Sequence, residues 1–321
     1  MPEPPTLSVV VPATDVPATL PRCTAAIRAA HEPPDELIVI DGPRDLTVSA
    51  ARNTGVEAAS GDVVVFVDAD VEVHPDVFRR IRDTFTSFPG LTAVHGSYDD
   101  QPGDPRTVST FRNLLHHHVH QANAGPAETF WTGLGAIRRD AFLAVGGFDE
   151  TRYPRPSIED IDLGHRLWDD GAALRLDPRI QGKHLKTWRL GSMLWVDLTR
   201  RAIPWLELQF RSRRLSGTLN CGWRHRLSAL VCVGALVALV LGLPLVALAG
   251  AIALVGLNRS FYALLLRRQG VVRAVGGIGL HALHHLVALV AVPATLATLA
   301  VSTLRRDHRS GAPERVRATA S

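Results

Sequence analysis

The residues best suited to chemistry are two aspartates, Asp68 and Asp70, which follow the apolar run of residues 63–67 (VVVFV). A fully apolar run of this length predicts a strand buried on both faces. Open α/β sheets bind ligands at the carboxyl ends of such strands. Carboxylate oxygens there can hold Mg²⁺ or Mn²⁺, which take further ligands from water and a substrate diphosphate. The alternative interpretation is a solvated loop after an edge strand.

A second pair of acids, Glu159 and Asp160, follows a proline-rich turn at residues 153–156. The apolar spacing after this pair predicts a helix that ends near Gly171. Acidic groups in the first turn of a helix stabilise its dipole, so capping is one interpretation of the pair. Catalysis by a positioned acid or base is the other.

The elements that must position these acids follow a βαβ rhythm. Short β-branched runs at residues 7–11, 37–40 and 63–67 predict strands, and the stretches between them have helical apolar spacing. Further strands are predicted at residues 92–94 and 173–176, and the turn-forming residues 98–106 predict a surface loop. The fold class is therefore α/β, with a sheet covered by helices on both faces.

The C-terminal third has a different composition. Residues 227–257 and 278–304 are almost wholly Leu, Val, Ala, Gly and Ile, which predicts two to three membrane spans of about 20 residues each. Trp and Leu alternate with Arg in residues 189–226, a pattern typical of helices that lie in the membrane interface. The predicted parts are a catalytic domain at 1–188, interfacial helices at 189–226, transmembrane helices at 227–304 and a polar tail at 305–321.

Charge and cysteine content narrow the functional class. The net charge is +4 and nearly every basic residue is arginine, with several Arg pairs beside apolar runs, where membrane lipid headgroups account for them. No nucleic-acid partner is expected. The three cysteines, Cys23, Cys221 and Cys232, have neither disulfide-framework nor metal-site spacing, so reduced structural thiols are predicted. The N-terminus has no secretory pattern, and we expect the first domain in the cytosol at the plasma membrane.

Several segments together resemble the nucleotide-binding half of glycosyltransferase family 2. They are PATD at 12–15, IDG at 40–42, SAARNTG at 49–55, DAD at 68–70, FWTG at 130–133, GGFDE at 146–150 and EDIDL at 159–163. The resemblance covers roughly residues 7–190. It implies the GT-A fold, a Rossmann-like mixed sheet flanked by helices that binds a nucleoside-diphosphate sugar across its strand ends.

The resemblance also implies roles for individual residues. Asp41 is similar to the acid that contacts the base, Arg52 to the basic residue near the nucleotide, and Asp68 to the acid that faces the ribose. The remaining nucleotide-sugar contacts are assigned to Pro12, Asp15 and Asn53, the metal ligands to Asp70 and His184, and the acceptor side to Trp131 and Gly133.

Asp160 is similar to the general base of inverting members, with Glu159 orienting groups nearby. Family members often have two acids after the second strand, whereas Asp41 is followed by Gly42 and Pro43.

Histidines allow several interpretations. A neutral imidazole at position 184 suits Mn²⁺ better than Mg²⁺, and Lys183 or Lys186 could instead neutralise the diphosphate. His116 and His120 are one helical turn apart, but no acid completes a metal site, so solvated or acceptor-lining histidines are expected. The group His281, His284 and His285 lies in apolar surroundings, where function or a headgroup-level position are the alternatives.

The predicted function is inverting transfer of a single sugar from a nucleotide-diphosphate sugar to a hydroxyl acceptor, lipid-linked or part of an envelope glycan, at the cytosolic membrane face. A divalent cation is the expected cofactor. Processive members typically carry Gln-x-x-Arg-Trp, which residues 209–213 (QFRSR) do not match. The rival interpretations are a non-catalytic membrane protein that binds nucleotide sugars and a nucleotidyltransferase, although the latter usually begins with a Gly- and Lys/Arg-rich loop that the PATD segment lacks.

Overall fold

The structure, a computed structural model, describes residues 3–212, 217, 219 and 222–310, with side chains as far as residue 300. Its N-terminal part contains a mixed sheet with strand order β2-β1-β3-β7-β5-β8-β4, and β6 pairs with β8. The strands are β1 (Leu7–Pro12), β2 (Glu36–Ile40), β3 (Val63–Val67), β4 (Val71–Val73), β5 (Leu91–Tyr98), β6 (Gly125–Ala127), β7 (Leu134–Arg138) and β8 (Ala173–His184).

The central strands explain the apolar runs of the sequence. β1 is parallel to both β2 and β3, whereas β7 is antiparallel to β3 and β5. Every residue of β3 is buried, because β1 and β7 flank it and helices cover both faces of the sheet. Val65 packs in the core of one face and Phe66 in that of the other, as the alternation of strand side chains requires. The predicted α/β sheet is confirmed.

Six helices belong to this part of the chain: α1 (Leu20–Arg28), α2 (Val48–Ala58), α3 (Val77–Ser87), α4 (Thr107–Ala122), α5 (Arg139–Ala144) and α6 (Glu159–Asp169). Apolar side chains of α1 and α3 fill one face of the sheet. Those of α2, α5 and α6 fill the other. Helix α6 begins at Glu159, as predicted, and the chain leaves it through Gly171, whose φ of 83° is in the left-handed region that glycine tolerates.

Close packing fixes the position of α2 over the sheet. The side chain of Thr47 accepts a hydrogen bond from the backbone N of Ala50 and so caps the first turn. Gly55 approaches β1 so closely that a Cβ atom there would lie 2.3 Å from Cγ1 of Val10. Helix α2 therefore lies directly on β1, which places Arg52 beside the strand that precedes Asp68.

The strand predictions need three corrections. The strand predicted at 92–94 is longer, Leu91–Tyr98, and the one predicted at 173–176 continues to His184, which therefore ends the strand rather than lying beyond it. Strands β4, β6 and β7 were not predicted. Two of them contain only three residues, and the segment of β7, LGAIR, has glycine and no regular alternation.

The C-terminal part is helical. Its elements are α7 (Leu190–Val196), a π-helix (Asp197–Ala202), α8 (Ile203–Ser212), α9 (Trp223–Val240), α10 (Pro244–Leu257) and α11 (Arg259–Ser310). A turn through Gly242 joins α9 to α10, close to the predicted break at Pro244. Gly270 interrupts α11 with a φ of 72°, so that two helical segments meet there. The predicted tail boundary at residue 304 falls inside α11, and residues 311–321 lie outside the described part.

These helices pack against the α/β part of the chain. Phe111 and Leu115 of α4 are buried in one apolar cluster with Phe261 and Leu265 of α11. Two helical segments, Trp223–Val240 and Arg259–Ala300, are long and apolar enough to cross a membrane by length and composition. Helix α10 has 14 residues, fewer than the roughly 20 that a span requires.

The cysteine prediction is tested at two positions. Cys23 and Cys232 are buried free thiols, and Cys221 lies outside the described residues. Burial, together with the charges of Asp68 and Asp70, raises the pKa of Cys23 to about 12. The Cys23 thiol is therefore protonated and unreactive near neutral pH.

Candidate active site

An ion-pair bridge joins the two pairs of acids that the sequence singled out. Arg52 is buried, with 4% of its side chain exposed, and its guanidinium lies 2.8 Å from Asp68 and 2.9 Å from Glu159. Glu159 is equally buried, whereas 32% of the Asp68 side chain is exposed. Because the interior contact is with Glu159, Arg52 holds α6 against the end of β3 and leaves Asp68 facing the solvent.

The FWTG segment, residues 130–133, lies between the same two pairs of acids. The backbone N of Asp68 donates to the carbonyl of Gly133 at 3.2 Å, and the backbone N of Thr132 donates to Oδ2 of Asp160 at 3.4 Å. Residues 131–133 thus connect the end of β3 with the start of α6. The structure brings the predicted donor-side acids and the predicted acceptor-side segment to one edge of the sheet.

Asp70 meets His184 because β4 pairs with β8. Val71 is opposite His184 in the register, and the backbone N of Leu185 donates to the carbonyl of Asp70 at 2.8 Å. Nε2 of His184 is 3.7 Å from Oδ2 of Asp70, and Nζ of Lys186 is 3.9 Å from the same oxygen. The His184 ring stacks on Tyr98 with centroids 4.1 Å apart and a 10° interplanar angle.

These neighbours keep Asp70 ionised. Burial by itself would raise the pKa of Asp70, but the nearby His184 and Lys186 lower that pKa below its ordinary value. No group of three or more acidic, His or Cys side chains converges as a metal site anywhere in the described part of the chain. A carboxylate and an imidazole less than 4 Å apart nevertheless fit a divalent cation that takes its other ligands from water and diphosphate, and the mixed O and N donors suit Mn²⁺.

The adjacent acids Glu159 and Asp160 have different environments. Glu159 accepts hydrogen bonds from Arg52 and from the backbone N of Ser157, so its oxygens are engaged by protein groups. Burial and the charge of Glu159 raise the pKa of Asp160 to about 7, against the opposing effect of Arg52. Asp160 can therefore exchange a proton near neutral pH, which is the property that a general base requires.

The other predicted nucleotide contacts are spread around the rim of this edge. Pro12 is buried at the end of β1, and Asp15 and Asp41 are exposed in the segments that follow β1 and β2. Those strand ends are joined by a hydrogen bond from the backbone N of Ala13 to the carbonyl of Ile40. Their contacts with a nucleotide stay predictions.

Asn53 has protein partners. Its Nδ2 donates to the carbonyl of Phe148 and to Glu150, and its Oδ1 accepts from the backbone N of Phe148. The amide thus ties α2 to the loop that precedes α6. This arrangement engages Asn53 in positioning the loop, and a nucleotide contact by its side chain stays a prediction.

Trp131 and Gly133 form part of an aromatic cluster that the sequence did not reveal. A Cβ atom on Gly133 would lie 2.3 Å from Cζ2 of Trp131, so the glycine leaves room for the indole. The indole packs edge-on against Tyr98, with centroids 4.9 Å apart, and 4.5 Å from the ring of His116. Because Tyr98 also stacks on His184, the cluster connects the acceptor side with the candidate metal ligand.

Two histidines of α4 are not solvated, and their predicted alternative position lining the acceptor side stays a prediction. His120 is buried, its Nδ1 lies 2.8 Å from the carbonyl of Gly96, and burial lowers its pKa to about 4. Burial also lowers the pKa of His116 well below its ordinary value. Both rings are therefore neutral near pH 7. The only sequence signal for this packing was their one-turn spacing next to leucines.

The mixed sheet with helices on both faces is the GT-A fold. Residues 42–146 match the family model described as Glycosyl transferase family 2. The match confirms the predicted resemblance to glycosyltransferase family 2 over this segment. The mannosyltransferase PcManGT of Pyrobaculum calidifontis, solved with GDP-Man and Mn²⁺, has a similar fold with a TM-score of 0.53 at 15% identity, over 91% of this chain and 88% of that one.

Two curated relatives match parts of the sequence. The Pre-mycofactocin glycosyltransferase of Mycobacterium tuberculosis is 32% identical over 149 residues, which is 44% of this chain and 31% of the relative. The Glucosyl-dolichyl phosphate glucuronosyltransferase of Haloferax volcanii is 27% identical over 122 residues, which is 36% and 38% of the two chains. The matches thus span about a third of the length of these relatives.

Proposed function

We propose that this protein transfers a single sugar from a nucleotide-diphosphate sugar to a hydroxyl acceptor in one inverting step, at the cytosolic face of the cell membrane. The observation that carries the proposal is the position of Asp160. It is a carboxyl group with a pKa of about 7, connected through residues 131–133 to the end of the strand that Asp68 follows. This position would put a proton acceptor beside the proposed donor-binding edge.

The donor would bind across the strand ends. Asp68, held by Arg52, faces solvent and would accept hydrogen bonds from the ribose hydroxyls. Asp70 and His184 would hold Mn²⁺ or Mg²⁺, which when bound neutralises charge on the diphosphate. Lys186 lies 3.9 Å from Asp70 and would add a positive charge to the same place. The Mn²⁺ and GDP-Man in the PcManGT structure support this choice of cofactor and donor class.

The chemistry requires one proton transfer. Ionised Asp160 would take the proton of the acceptor hydroxyl while the oxygen of that hydroxyl forms a bond to the anomeric carbon of the sugar. The bond from that carbon to the diphosphate breaks in the same step, and the nucleoside diphosphate leaves with the bonding electron pair. Attack opposite the leaving group inverts the anomeric configuration. Glu159, fixed by Arg52 and Ser157, would hold the start of α6 in place.

A membrane setting is supported by composition and by packing. Helix α9 and the segment Arg259–Ala300 are apolar enough to span a bilayer. The short basic segment between Arg268 and Arg273 contacts the catalytic part, because Arg268 pairs with Asp100 and Arg273 donates to the carbonyl of Pro105. This segment would therefore lie on the cytosolic side with the catalytic domain. A lipid-linked acceptor fits this arrangement, and one relative is named for a dolichyl phosphate substrate.

Product analysis tests the function directly. The purified full chain is first screened by thermal shift with Mn²⁺ and a panel of UDP-, GDP- and dTDP-sugars, because a ligand that binds the folded state raises its apparent stability. The donor that gives the shift is then supplied in labelled form with membrane extract as acceptor. Sugar transferred with inverted configuration supports the proposal. Donor binding without turnover indicates a binding protein, and release of pyrophosphate indicates a nucleotidyltransferase.

A further inference from the structure

An arginine-lined cleft lies beside the start of α6, outside the donor edge. Its volume is about 250 Å³, and Arg152 and Arg155 line it from the turn before α6. Arg200 of the π-helix and Arg211 of α8 line it from the C-terminal part. Four arginines around one small cleft repel one another, and a bound anion would reduce this repulsion.

The carboxylates near the cleft balance only part of its charge. Arg152 is paired with Asp162 at 2.7 Å. Glu207 lines the same cleft and adds one negative charge, and its carboxylate accepts a hydrogen bond from Thr298 at 3.1 Å. Among the residues that the structure describes, Arg155, Arg200 and Arg211 form no ion pair within 4.0 Å.

The walls of the cleft are fixed to the candidate catalytic acids. The hydroxyl of Ser157 donates to the carbonyl of Arg200 at 2.7 Å, which joins the π-helix to the turn before α6. The backbone N of the same Ser157 donates to Glu159 at 2.7 Å. π-helical turns occur frequently at functional sites. One serine therefore links the cleft to the acid that precedes Asp160.

Apolar side chains on α7 and α8, the helices on either side of the π-helix, are exposed. Trp195 of α7 is 64% exposed and Phe210 of α8 is 49% exposed. Exposed tryptophans beside apolar helices are enriched at the headgroup level of a bilayer. The cleft is thus suited to an anion next to an apolar phase.

We infer that this cleft binds the phosphate group of a phosphorylated acceptor and so holds the acceptor beside Asp160. The guanidinium groups recognise phosphate through charge-assisted, bidentate hydrogen bonds. The role of the bound molecule as an acceptor rests on the proposed transferase function, whereas the phosphate site does not. The phosphate can belong to a lipid or to a soluble sugar phosphate, and the two sources share the same chemistry.

Phosphate binding is tested with the full chain in neutral detergent. A chelator is included so that phosphate cannot bind through a cation at Asp70. Inorganic phosphate should raise the melting temperature of the wild type and of the control Arg28→Gln, which removes an exposed arginine at the end of α1. In Arg155→Gln/Arg200→Gln each lost guanidinium should weaken phosphate affinity by about 10- to 100-fold. An equal phosphate shift in this variant, or no shift in the wild type, would overturn the inference.

A flotation experiment with vesicles identifies whether the phosphate belongs to a lipid or to a soluble molecule. The same proteins are floated with phosphatidylcholine vesicles that contain or lack phosphatidylglycerol. If the double variant loses its preference for the anionic vesicles and Arg28→Gln does not, the cleft holds a lipid phosphate. If both keep the preference while only the double variant loses phosphate binding, the cleft serves a soluble phosphate. Both results retain the phosphate site.

A donor arm separates this inference from the proposed function. A thermal shift with nucleotide sugar and Mn²⁺ is recorded for every variant, and it also shows that the double variant is folded. Absence of any donor shift in the wild type would count against the transferase, while the phosphate titration would still be readable. A donor shift combined with unchanged phosphate binding in the double variant would reject the cleft alone.

Discussion

Two buried charge networks differ in their balance. In one, Arg52 lies between Asp68 and Glu159, and Asp160 adds a further carboxyl group nearby. In the other, Asp197 of the π-helix contacts Arg112 of α4 at 2.9 Å and His284 of α11 at 3.0 Å. The first network has one cation for several acids and opens to solvent at Asp68. The Asp197 network has one acid for several basic groups, and Asp197 itself is buried from solvent.

The two networks differ in whether their charged groups can still bind a ligand or a proton. Only 3% of the Asp197 side chain and 8% of the Arg112 side chain are exposed, so this network can join helices but cannot reach a substrate. The Arg52 network leaves acids that attract cations and protons. We therefore expect substitutions in the first network, or at Asp70 near it, to change donor binding or catalysis, and those in the second to lower the stability of the fold.

The largest effect is expected from Asp70→Ala. The variant should lose metal-dependent donor binding, because the cation would lose its carboxylate ligand and the diphosphate its counter-charge. Calorimetry with donor and Mn²⁺ measures it. Asp83→Ala, which removes an exposed acid of α3, is the control and should bind normally. Undiminished donor affinity in folded Asp70→Ala would exclude Asp70 as a metal ligand.

Asp160→Asn should separate binding from chemistry. Without the proton acceptor, transfer should slow by about 10²- to 10⁴-fold, whereas donor affinity should stay near the wild-type value. The capping interpretation predicts the opposite, because Asn caps a helix nearly as well as Asp. Steady-state kcat and donor affinity are measured beside Glu159→Gln, which leaves Asp160 in place but removes the negative charge that pairs with Arg52. Near-normal turnover in Asp160→Asn would refute its role as base.

Asp197→Asn should affect folding alone. It leaves Arg112 buried without its charge partner, and breaking one side of a buried ion pair costs about 3–5 kcal/mol. The melting temperature in detergent should fall by several degrees, while donor affinity of the folded protein should not change. The control Asp83→Asn breaks an exposed pair with Arg79, which contributes less than about 1 kcal/mol. Equal melting temperatures of the two variants would contradict a structural role for Asp197.

The sequence predicted the positions of Asp68 and Asp160 at one edge of the sheet better than the contacts between the α/β part and the C-terminal helices. Asp68 and Asp160 were identified because a buried strand and a helix start are local patterns. The ion pairs of Arg52 and the stacking of Tyr98 on His184 depend on strand register, which pairs residues distant in sequence. The π-helix and the packing of α11 on α4 left no local signal, because an apolar helix facing protein has the same composition as one facing lipid.

The last prediction uses the opposite pKa shifts of the two networks. Burial and Glu159 raise the pKa of Asp160 from 3.8 to about 7, so the folded state holds a proton that the unfolded state releases. The contribution of Asp160 to the free energy of unfolding is thus present below pH 3.8 and is lost as pH rises to about 7. Over the same range kcat should rise about tenfold per pH unit, because only the ionised carboxylate accepts a proton.

Asp197 should show the reverse dependence. Burial alone would raise its pKa, but Arg112 and His284 lower that pKa below its ordinary value. Its stabilising contribution is therefore complete above the ordinary pKa and is lost as pH falls through the folded value. Melting temperatures between about pH 4 and pH 8 cover the range in which Asp160 titrates and in which the contribution of Asp197 is complete. Relative to wild type, Asp160→Asn should become more stable as pH rises, whereas Asp197→Asn should be less stable throughout. A constant difference between Asp160→Asn and wild type across that range would show that Asp160 has an ordinary pKa and that its ionisation does not control kcat.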